Sequence, residues 1–168
     1  MAELIHRVAY EVVPMHRLPL PLGIRDPECM ITPMAWAKRR LRRRVPWLLP
    51  PQKPRECCFY HSIDWRRAAE VAVRLVRQAQ AAGLQGVRID DYVDEHVEAE
   101  KLADPEEDAV VVLLIGEAAG ILLHDPGFPA PYMDGRHRVA AQLDQGVAET
   151  VVQRFEVLDP ETGLPVVD

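Results

Sequence analysis

The sequence is poor in cysteine and contains no long hydrophobic segment. Its three cysteines, among 168 residues, show no paired spacing, which is typical of a protein kept in a reducing compartment rather than of a disulfide scaffold. The longest apolar stretch, residues 109–123, contains Glu117 and is too short and too polar to cross a membrane. The first residues lack the layout of a secretory signal peptide. We therefore expect a cytoplasmic protein without a membrane partner.

Lysine is scarce, and acidic residues outnumber basic ones. The 20 Lys and Arg side chains stand against 26 Asp and Glu, which gives a formal net charge of −6. This balance excludes non-specific coating of DNA, which needs a basic surface, although it leaves room for a local basic site. The length and the 48% hydrophobic content fit one globular domain over residues 1–168 that needs neither a disulfide nor a metal to fold.

Positive charge is concentrated in the Pro-rich N-terminal part of the chain, residues 14–56, where six of the seven residues at positions 38–44 are cationic. Three interpretations remain open. The segment could be a solvated basic face or a nucleic-acid patch on which Trp36 and Trp47 stack with bases. It could also bind an acidic protein partner, or this chain's own residues 90–108. The cations are Lys38, Arg39, Arg40, Arg42, Arg43 and Arg44.

Two groups of residues contain metal-binding side chains without a known ligand spacing. Residues 90–108 hold ten carboxylates, four of which could bind Mg²⁺, but the glycine and closing glutamate of an EF-hand loop are missing. A solvated acidic face is the simpler interpretation. Cys57, Cys58 and His61 form the second group. With Cys29 they would be a partial zinc site, yet the usual C-x₂₋₄-C pairs are absent, so we predict buried reduced thiols and no metal site. The four carboxylates are Asp90, Asp91, Asp94 and Glu95.

The hydrophobic pattern predicts an α+β fold in which helices flank a small mixed β-sheet. Thr32 followed by Pro33 is an N-cap with proline at the first helical position, and Asp64 is a second N-cap. Runs of β-branched residues predict strands. The acidic residues 92–103 are expected to form a solvated helix or a loop. The predicted helices are residues 33–44, 64–82 and 135–145, and the predicted strands are residues 10–13, 87–89, 109–115, 121–124 and 150–157.

The residues most indicative of chemistry form a pentad, Asp-Gly-Arg-His-Arg, at the start of the last predicted helix. A helix start offers unpaired N–H groups and the positive end of the dipole, so it readily binds an anion. We expect Asp134 to cap the helix and Gly135 to let the backbone approach a ligand closely. By helical periodicity, Arg136 and His137 face the ligand. Arg138 points nearly opposite the core and holds a neighbouring loop or a second phosphate.

This pentad and its surroundings resemble the ParB/sulfiredoxin superfamily, mainly over residues 110–157. The sequence from Tyr132 reads Tyr-Met-Asp-Gly-Arg-His-Arg-Val-Ala-Ala and is followed by Gly146 and a predicted strand, in the superfamily's order of strand, motif, helix, glycine and strand. The resemblance implies binding of a nucleoside triphosphate or another phosphate ligand, with Mg²⁺ where a reaction follows. The implied phosphate-binding residues are Gly135, Arg136, His137 and Arg138. The resemblance transfers no catalytic residue, and the candidates that the sequence itself offers are His124, Asp125 and His137.

The sequence departs from two members of that superfamily. Sulfiredoxins carry their catalytic cysteine at the position of Arg136, so reduction of a sulfinic acid by that route is not expected. Partition proteins carry a helix-turn-helix and a dimerisation region after this fold, and too few residues follow Val157 for these. A full partition protein is therefore not expected.

The leading hypothesis is a nucleotide- or phosphate-binding domain, with Mg²⁺-assisted phosphoryl hydrolysis or transfer as the reaction that could follow. The alternative is a non-enzymatic module that binds nucleic acid or an acidic protein through residues 38–44. A third hypothesis is a nuclease of the ParB-like kind. The sequence leaves open which nucleotide is bound and whether the protein is an enzyme.

Overall fold

The computed structural model describes residues 5–21, 32–116, 120–124 and 131–158. In these ranges β1 (Ile5–Pro14) and β2 (Glu149–Leu158) pair antiparallel, and their register places Ile5 opposite Leu158. β2 is rich in β-branched residues, and residues 150–153 are buried on both faces of the strand. This part of β2 therefore lies in the interior of the fold.

Helices form most of the rest of the described chain. Two begin where the sequence predicts. The Thr32 hydroxyl accepts a hydrogen bond from the Ala35 N–H at 3.2 Å, and Pro33 follows it in the first turn. Asp64 caps the third helix in the same way. The helices are α1 (Pro33–Arg44), α2 (Phe59–Ser62), α3 (Trp65–Ala81), α4 (Val87–Val97), α5 (Asp104–Val110) and α6 (Arg136–Gln145), with short 3₁₀ turns at Met15–Arg17 and Glu98–Glu100.

α3 forms the centre of the hydrophobic core. Its apolar residues recur every three or four positions, and Trp65 and Val76 are fully buried. It packs against α4, α5, α6 and β2. α6 contacts α1, α2 and α3, and all of its residues except Arg136 and His137 are buried. α6 is therefore enclosed on all sides, whereas an amphipathic surface helix would bury one stripe.

Residues 109–115 do not form the predicted strand. They end α5 and continue as a π-helical turn, Val111–Ile115. The helix starts at Asp104 with the sequence Asp-Pro-Glu-Glu, in which proline fits the first turn and the carboxylates favour the positive end of the dipole. A short buried apolar run has the same composition in a helix and in a strand, so the helix-start signal decides between them.

Residues 87–89 are likewise helical rather than extended. They begin α4, in which Ile89, Val93 and Val97 are buried at a spacing of four residues. That spacing places the three side chains on one helix face. Of the two alternatives for residues 92–103, the structure has the helix up to Val97, followed by a 3₁₀ turn.

The α+β class is confirmed. The strands predicted at residues 10–13 and 150–157 lie within β1 and β2. Residues 121–124 make only isolated bridges, and one of these, between Leu122 and Gln153, is parallel. The sheet is thus an antiparallel pair with one parallel bridge beside it. No helix in the described ranges is both long and apolar enough to cross a membrane.

Candidate functional site

α6 starts after a glycine that is required by both conformation and space. Gly135 is the N-cap and has a φ of 87°, in the left-handed region that favours glycine. A Cβ atom here would lie 2.7 Å from the Cα of Ile121 and 3.2 Å from the carbonyl oxygen of Gly120. The start of α6 is therefore pressed directly against the backbone of residues 120–124.

The segment 120–124 is fixed between α6 and the sheet by backbone hydrogen bonds. On one side the Met133 N–H donates to the carbonyl oxygen of Leu122 at 3.0 Å. On the other side the Gln153 N–H donates to the carbonyl oxygen of Ile121 at 2.8 Å. These bonds join the residues before α6 to β2, so the helix start has a defined position in the fold.

The buried side chain of Gln153 also contacts the segment 120–124. Its amide nitrogen donates to the carbonyl oxygens of Ile115 and Gly116, each at 2.9 Å, at the end of the π-helical turn. The same amide leaves no space for a side chain on Gly120, where a Cβ would lie 2.3 Å from it. Gln153 therefore connects the end of the π-helical turn to the segment 120–124, which borders α6.

Asp134 does not cap α6 in the predicted manner. Its carboxylate accepts a hydrogen bond from the adjacent Gly135 N–H at 2.7 Å, and Gly135 itself occupies the N-cap position. The prediction that Asp134 is the N-cap is therefore wrong by one residue. Because glycine has no side chain, the N-cap residue offers no capping oxygen to the N–H groups of the first turn.

Arg138 is buried beside the start of α6. Its guanidinium donates to the carbonyl oxygen of Gly120 at 3.2 Å and to the Asp134 carboxylate at 3.4 Å, and it lies 5.8 Å from the centre of the Tyr60 ring. The expectation that Arg138 points away from the core is wrong, because α6 is enclosed on all sides. Its Nε is buried and has no hydrogen-bond partner among the described residues.

The other two side chains of the pentad are partly exposed. Arg136 and His137 are the only residues of α6 that are not buried. The His137 ring packs edge-on against Tyr60, with the ring centres 5.4 Å apart. We call Gly135, Arg136, His137 and Arg138 the start site.

The candidate catalytic residues outside α6 are only partly covered by the structure. His124 is half-buried at the end of the segment 120–124, and its N–H donates to the carbonyl oxygen of Pro131 at 3.1 Å. It therefore belongs to the segment that borders the start site. Asp125 lies outside the described residues.

A second charged group surrounds Asp144, near the other end of α6. The buried Asp144 carboxylate accepts two hydrogen bonds from Arg39, at 3.0 and 2.7 Å, and contacts Nε2 of His61 at 3.0 Å. Nitrogen atoms of Arg42 and Arg55 lie 3.6 and 3.5 Å from it. We call these five residues the Asp144 cluster.

This cluster changes the interpretation of the basic helix α1. Arg39 and Arg42 are only 3% and 6% exposed, because they face Asp144 inside the protein. Arg43 is half-buried and donates to the carbonyl oxygen of His16 at 2.9 Å. The six cations of residues 38–44 therefore do not form one open face.

Three cations of α1 remain on the surface, in a part of the chain that also exposes two tryptophans. Lys38, Arg40 and Arg44 are exposed on α1. Trp36 is 40% exposed and lies under the guanidinium of Arg40, 5.3 Å from it, and Trp47 is 81% exposed. Exposed tryptophans beside cations are a suitable surface for stacking with bases or for contact with a partner.

The electrostatics of the Asp144 cluster are those of a buried ion network. Burial acts to raise the pKa of Asp144, but hydrogen bonds from His61 and Arg39 outweigh it and hold that pKa below its ordinary value. Burial lowers the pKa of Arg42; Asp144 opposes this effect, and the charges of Arg39 and Arg55 add to it. Three guanidiniums around one carboxylate leave an excess of positive charge.

Cys57, Cys58 and His61 come together at the edge of this cluster. Their ligand atoms all lie within 4.8 Å of one another, and Cys58 Sγ is 3.2 Å from Nδ1 of His61. Cys57 is exposed and Cys58 half-buried, so the prediction of buried thiols is wrong for Cys57. Cys29 lies outside the described residues. The Cys-x-x-His spacing, which places both side chains on one side of a helical turn, was the signal available in the sequence.

The acidic residues 90–108 do not assemble a cation site within the ranges that the structure describes. Two of the α1 arginines that could have paired with them, Arg39 and Arg42, contact Asp144 instead. Glu100 pairs with Arg74 on α3. On α4, Asp91, Asp94 and Glu95 are exposed and Asp90 is half-buried.

A large surface groove lies away from both charged groups. It has a volume of about 850 Å³ and runs along α3 and the turn before β2. It is open to solvent, and its Arg77 is paired with Glu149 at 2.9 Å. We assign no ligand to this groove, because two of its lining arginines, Arg74 and Arg77, are already paired with Glu100 and Glu149.

No protein-family model matches the sequence, and no curated protein or solved structure is detectably similar to it. Its function is therefore inferred from the geometry of the two charged regions.

Proposed function

We propose that the start site binds a phosphate anion and that its physiological ligand is a nucleotide. The observation that carries this proposal is the first turn of α6, in which a left-handed glycine replaces a capping side chain and three basic side chains follow. Phosphates bind at such helix starts through backbone N–H groups and the positive end of the dipole. α6 has ten residues, which is long enough to supply that dipole.

The three basic side chains have different roles in this proposal. Arg138 is buried and holds the carbonyl oxygen of Gly120, so it keeps the wall of the site in place. Arg136 and His137 are partly exposed and supply charge to the ligand. Cations beside the positive end of a helix are unfavourable by about 0.3–1 kcal/mol each, and a bound anion reverses this effect.

The nucleotide part of the proposal rests on the resemblance to the ParB/sulfiredoxin superfamily. A nucleoside triphosphate arrives with Mg²⁺, which neutralises phosphate charge. The carboxylate beside the start site is Asp134, which already accepts hydrogen bonds from the Gly135 N–H and from Arg138. It does not fit the role of a dedicated metal ligand, so we derive no Mg²⁺-dependent step.

Isothermal titration of the full chain with pyrophosphate, ATP, CTP and GTP tests this proposal. Arg136→Ala should weaken binding by at least about tenfold, because a hydrogen bond to a charged group contributes about 1.5–3 kcal/mol. The matched control is Arg154→Ala on β2, which removes a partly exposed arginine that is paired with Glu11 at 3.0 Å. Absence of binding by the unmodified chain, or an equal loss in both variants, would contradict the proposal.

The surface of α1 supports a second candidate function, the binding of single-stranded nucleic acid. The specific observation is that Trp36 and Trp47 are exposed, as are Lys38, Arg40 and Arg44, and that the Arg40 guanidinium lies 5.3 Å from the centre of the Trp36 ring. Stacking on aromatic rings combined with phosphate contacts is how proteins bind single strands without reading their sequence. Arg39 and Arg42 are excluded from this surface, because they belong to the Asp144 cluster.

A salt titration of oligonucleotide binding tests this second candidate. Changing Lys38, Arg40 and Arg44 together to Gln should reduce the slope of log affinity against log salt by about 0.7 for each phosphate that the protein no longer neutralises. The control changes the exposed pair Arg66 and Arg67 on α3 to Gln. The candidate function is contradicted if the unmodified chain binds no oligonucleotide. It is also contradicted if the control variant reduces the slope as much as the triple variant does.

A further inference from the structure

The short helix α2 carries a group of metal-binding side chains that the start site does not use. Cys58 is the N-cap residue of α2 and His61 lies three residues later, so their side chains share one side of the turn. Sγ of Cys57, Sγ of Cys58 and a ring nitrogen of His61 lie within 4.8 Å of one another. In a tetrahedral zinc site the ligand atoms are about 3.5–3.8 Å apart, as follows from Zn–S and Zn–N distances of about 2.3 and 2.0–2.1 Å.

The ring of His61 is held in the orientation that metal binding requires. Nε2 lies 3.0 Å from the Asp144 carboxylate, and Nδ1 lies 3.2 Å from Cys58 Sγ. An ionised carboxylate only accepts hydrogen bonds, so Nε2 donates to Asp144, and Nδ1, which faces Cys58, is the nitrogen that is placed to bind a metal. Carboxylates that bond the second nitrogen of a histidine ligand are a regular part of zinc sites.

The surrounding charges tolerate a divalent cation at this place. Arg39 and Arg42 are buried against Asp144, and Arg55 lies beside them, so the region already has more positive than negative charge. A divalent cation that is bound by two thiolates brings no net charge of its own. Binding at Cys57 and Cys58 therefore does not increase the repulsion from the guanidiniums.

We propose that Cys57, Cys58 and His61 bind one zinc ion and that Asp144 positions the histidine ligand. Two sulfur atoms and one imidazole nitrogen are the soft and borderline ligands that favour zinc over Mg²⁺ or Ca²⁺. Three protein ligands leave a fourth position for water or another ligand, and one of the three, Cys57, is exposed. The site is separate from the start site, and its test does not depend on nucleotide binding.

Titration of the reduced, chelator-treated full chain with Co²⁺ tests this proposal. One equivalent should produce thiolate-to-cobalt charge-transfer absorption, and added Zn²⁺ should abolish the absorption. Cys57→Ser and Cys58→Ser should each weaken Co²⁺ binding by at least about tenfold, and the double variant should show no charge-transfer band. Asp144→Asn should lower the affinity by about 10–100-fold and retain the band, as expected for a positioning residue.

Two variants serve as controls for side chains of the same kind. Cys29→Ser and His96→Ala should retain both the band and the affinity; His96 is an exposed residue on α4. Because Cys57 is exposed, its variant tests the ligand without disturbing the core, and urea unfolding of each variant checks its fold. The proposal is overturned by absence of a charge-transfer band, by its persistence in the double cysteine variant, or by its loss in either control.

Discussion

The two charged regions of α6 place arginine in different surroundings. In the Asp144 cluster, Arg39 and Arg42 are buried against a carboxylate that lies inside the protein. In the start site, Arg136 is partly exposed, and the nearest carboxylate in sequence, Asp134, is exposed as well. Arginine content is therefore a poor guide to ligand binding. Burial separates the two groups: Arg39 and Arg42 stabilise the fold from the inside, whereas Arg136 is partly open to solvent.

The largest effect should follow removal of the internal carboxylate. Asp144→Ala leaves buried arginines without a counter-charge and should reduce the free energy of unfolding by about 3–5 kcal/mol. The control is Asp134→Ala, which removes the exposed partner of Arg138 and should cost no more than about 1 kcal/mol. Urea unfolding followed by circular dichroism measures both values. Similar losses in the two variants would show that the two regions do not differ in this way.

The next effect concerns the packing of the start site. Gly135→Ala and Gly83→Ala both place a side chain at a positive φ, of 87° and 80°, which costs about 1–2 kcal/mol. Only at Gly135 would the Cβ also meet backbone, 2.7 Å from Ile121 Cα, whereas nothing lies within 4 Å at Gly83. Gly135→Ala should therefore be less stable than Gly83→Ala by about 1–3 kcal/mol. Equal urea midpoints would contradict the close approach.

A pair of matched substitutions separates stability from binding within the start site. Arg138→Met removes a buried guanidinium that donates to Gly120 and should cost about 1–3 kcal/mol of stability. Arg136→Met alters a partly exposed side chain and should change stability by no more than about 0.5 kcal/mol. Pyrophosphate affinity should fall in Arg136→Met. Thermal unfolding and titration on the same samples measure both, and an unaltered affinity in Arg136→Met would assign the binding to other residues.

The smallest effect is the acid dependence of stability. The pKa of Asp144 is lower in the folded protein than in the unfolded chain, so the unfolded chain takes up this proton first as the pH falls. The contribution of Asp144 is complete above the unfolded value of about 3.9 and is lost progressively below it, with a slope of at most about 1.4 kcal/mol per pH unit. Urea unfolding between pH 7 and pH 3 should show a shallower acid loss in Asp144→Asn than in the unmodified chain. Identical slopes would mean that Asp144 is not the titrating group.

Local signals in the sequence account for the parts of the fold that were predicted. The side chains of Thr32 and Asp64 cap α1 and α3 by accepting hydrogen bonds from N–H groups two or three residues later. Because these signals are local, both helices could be placed without knowledge of the fold. The strand predicted at residues 109–115 was wrong because an apolar run whose two ends are buried, as Ala109, Val110, Leu114 and Ile115 are, does not distinguish a helix from a strand.

The Asp144 cluster could not be predicted in the same way. Arg39 and Asp144 are separated by 105 positions, so their pairing appears only when α1 packs on α6. The spacing of Cys58 and His61 was visible, but the carboxylate that orients the histidine was not. The residues of the start site could be identified in the sequence, whereas the burial of Arg138 could not, because helical periodicity assumes a single buried face.

The register of the sheet has a consequence for how the chain folds. Pairing Ile5 with Leu158 joins the two ends of the described chain, and all helices of the described ranges lie between them in sequence. The entropy lost on closing such a loop grows only slowly with its length, so the pairing remains compatible with a stable protein. Contacts between distant positions nevertheless slow folding, since the closure entropy is lost before the strands gain their hydrogen bonds. We therefore expect the β1–β2 pair to form after the capped helices. Closure of this long loop should then be the step that limits the rate of folding.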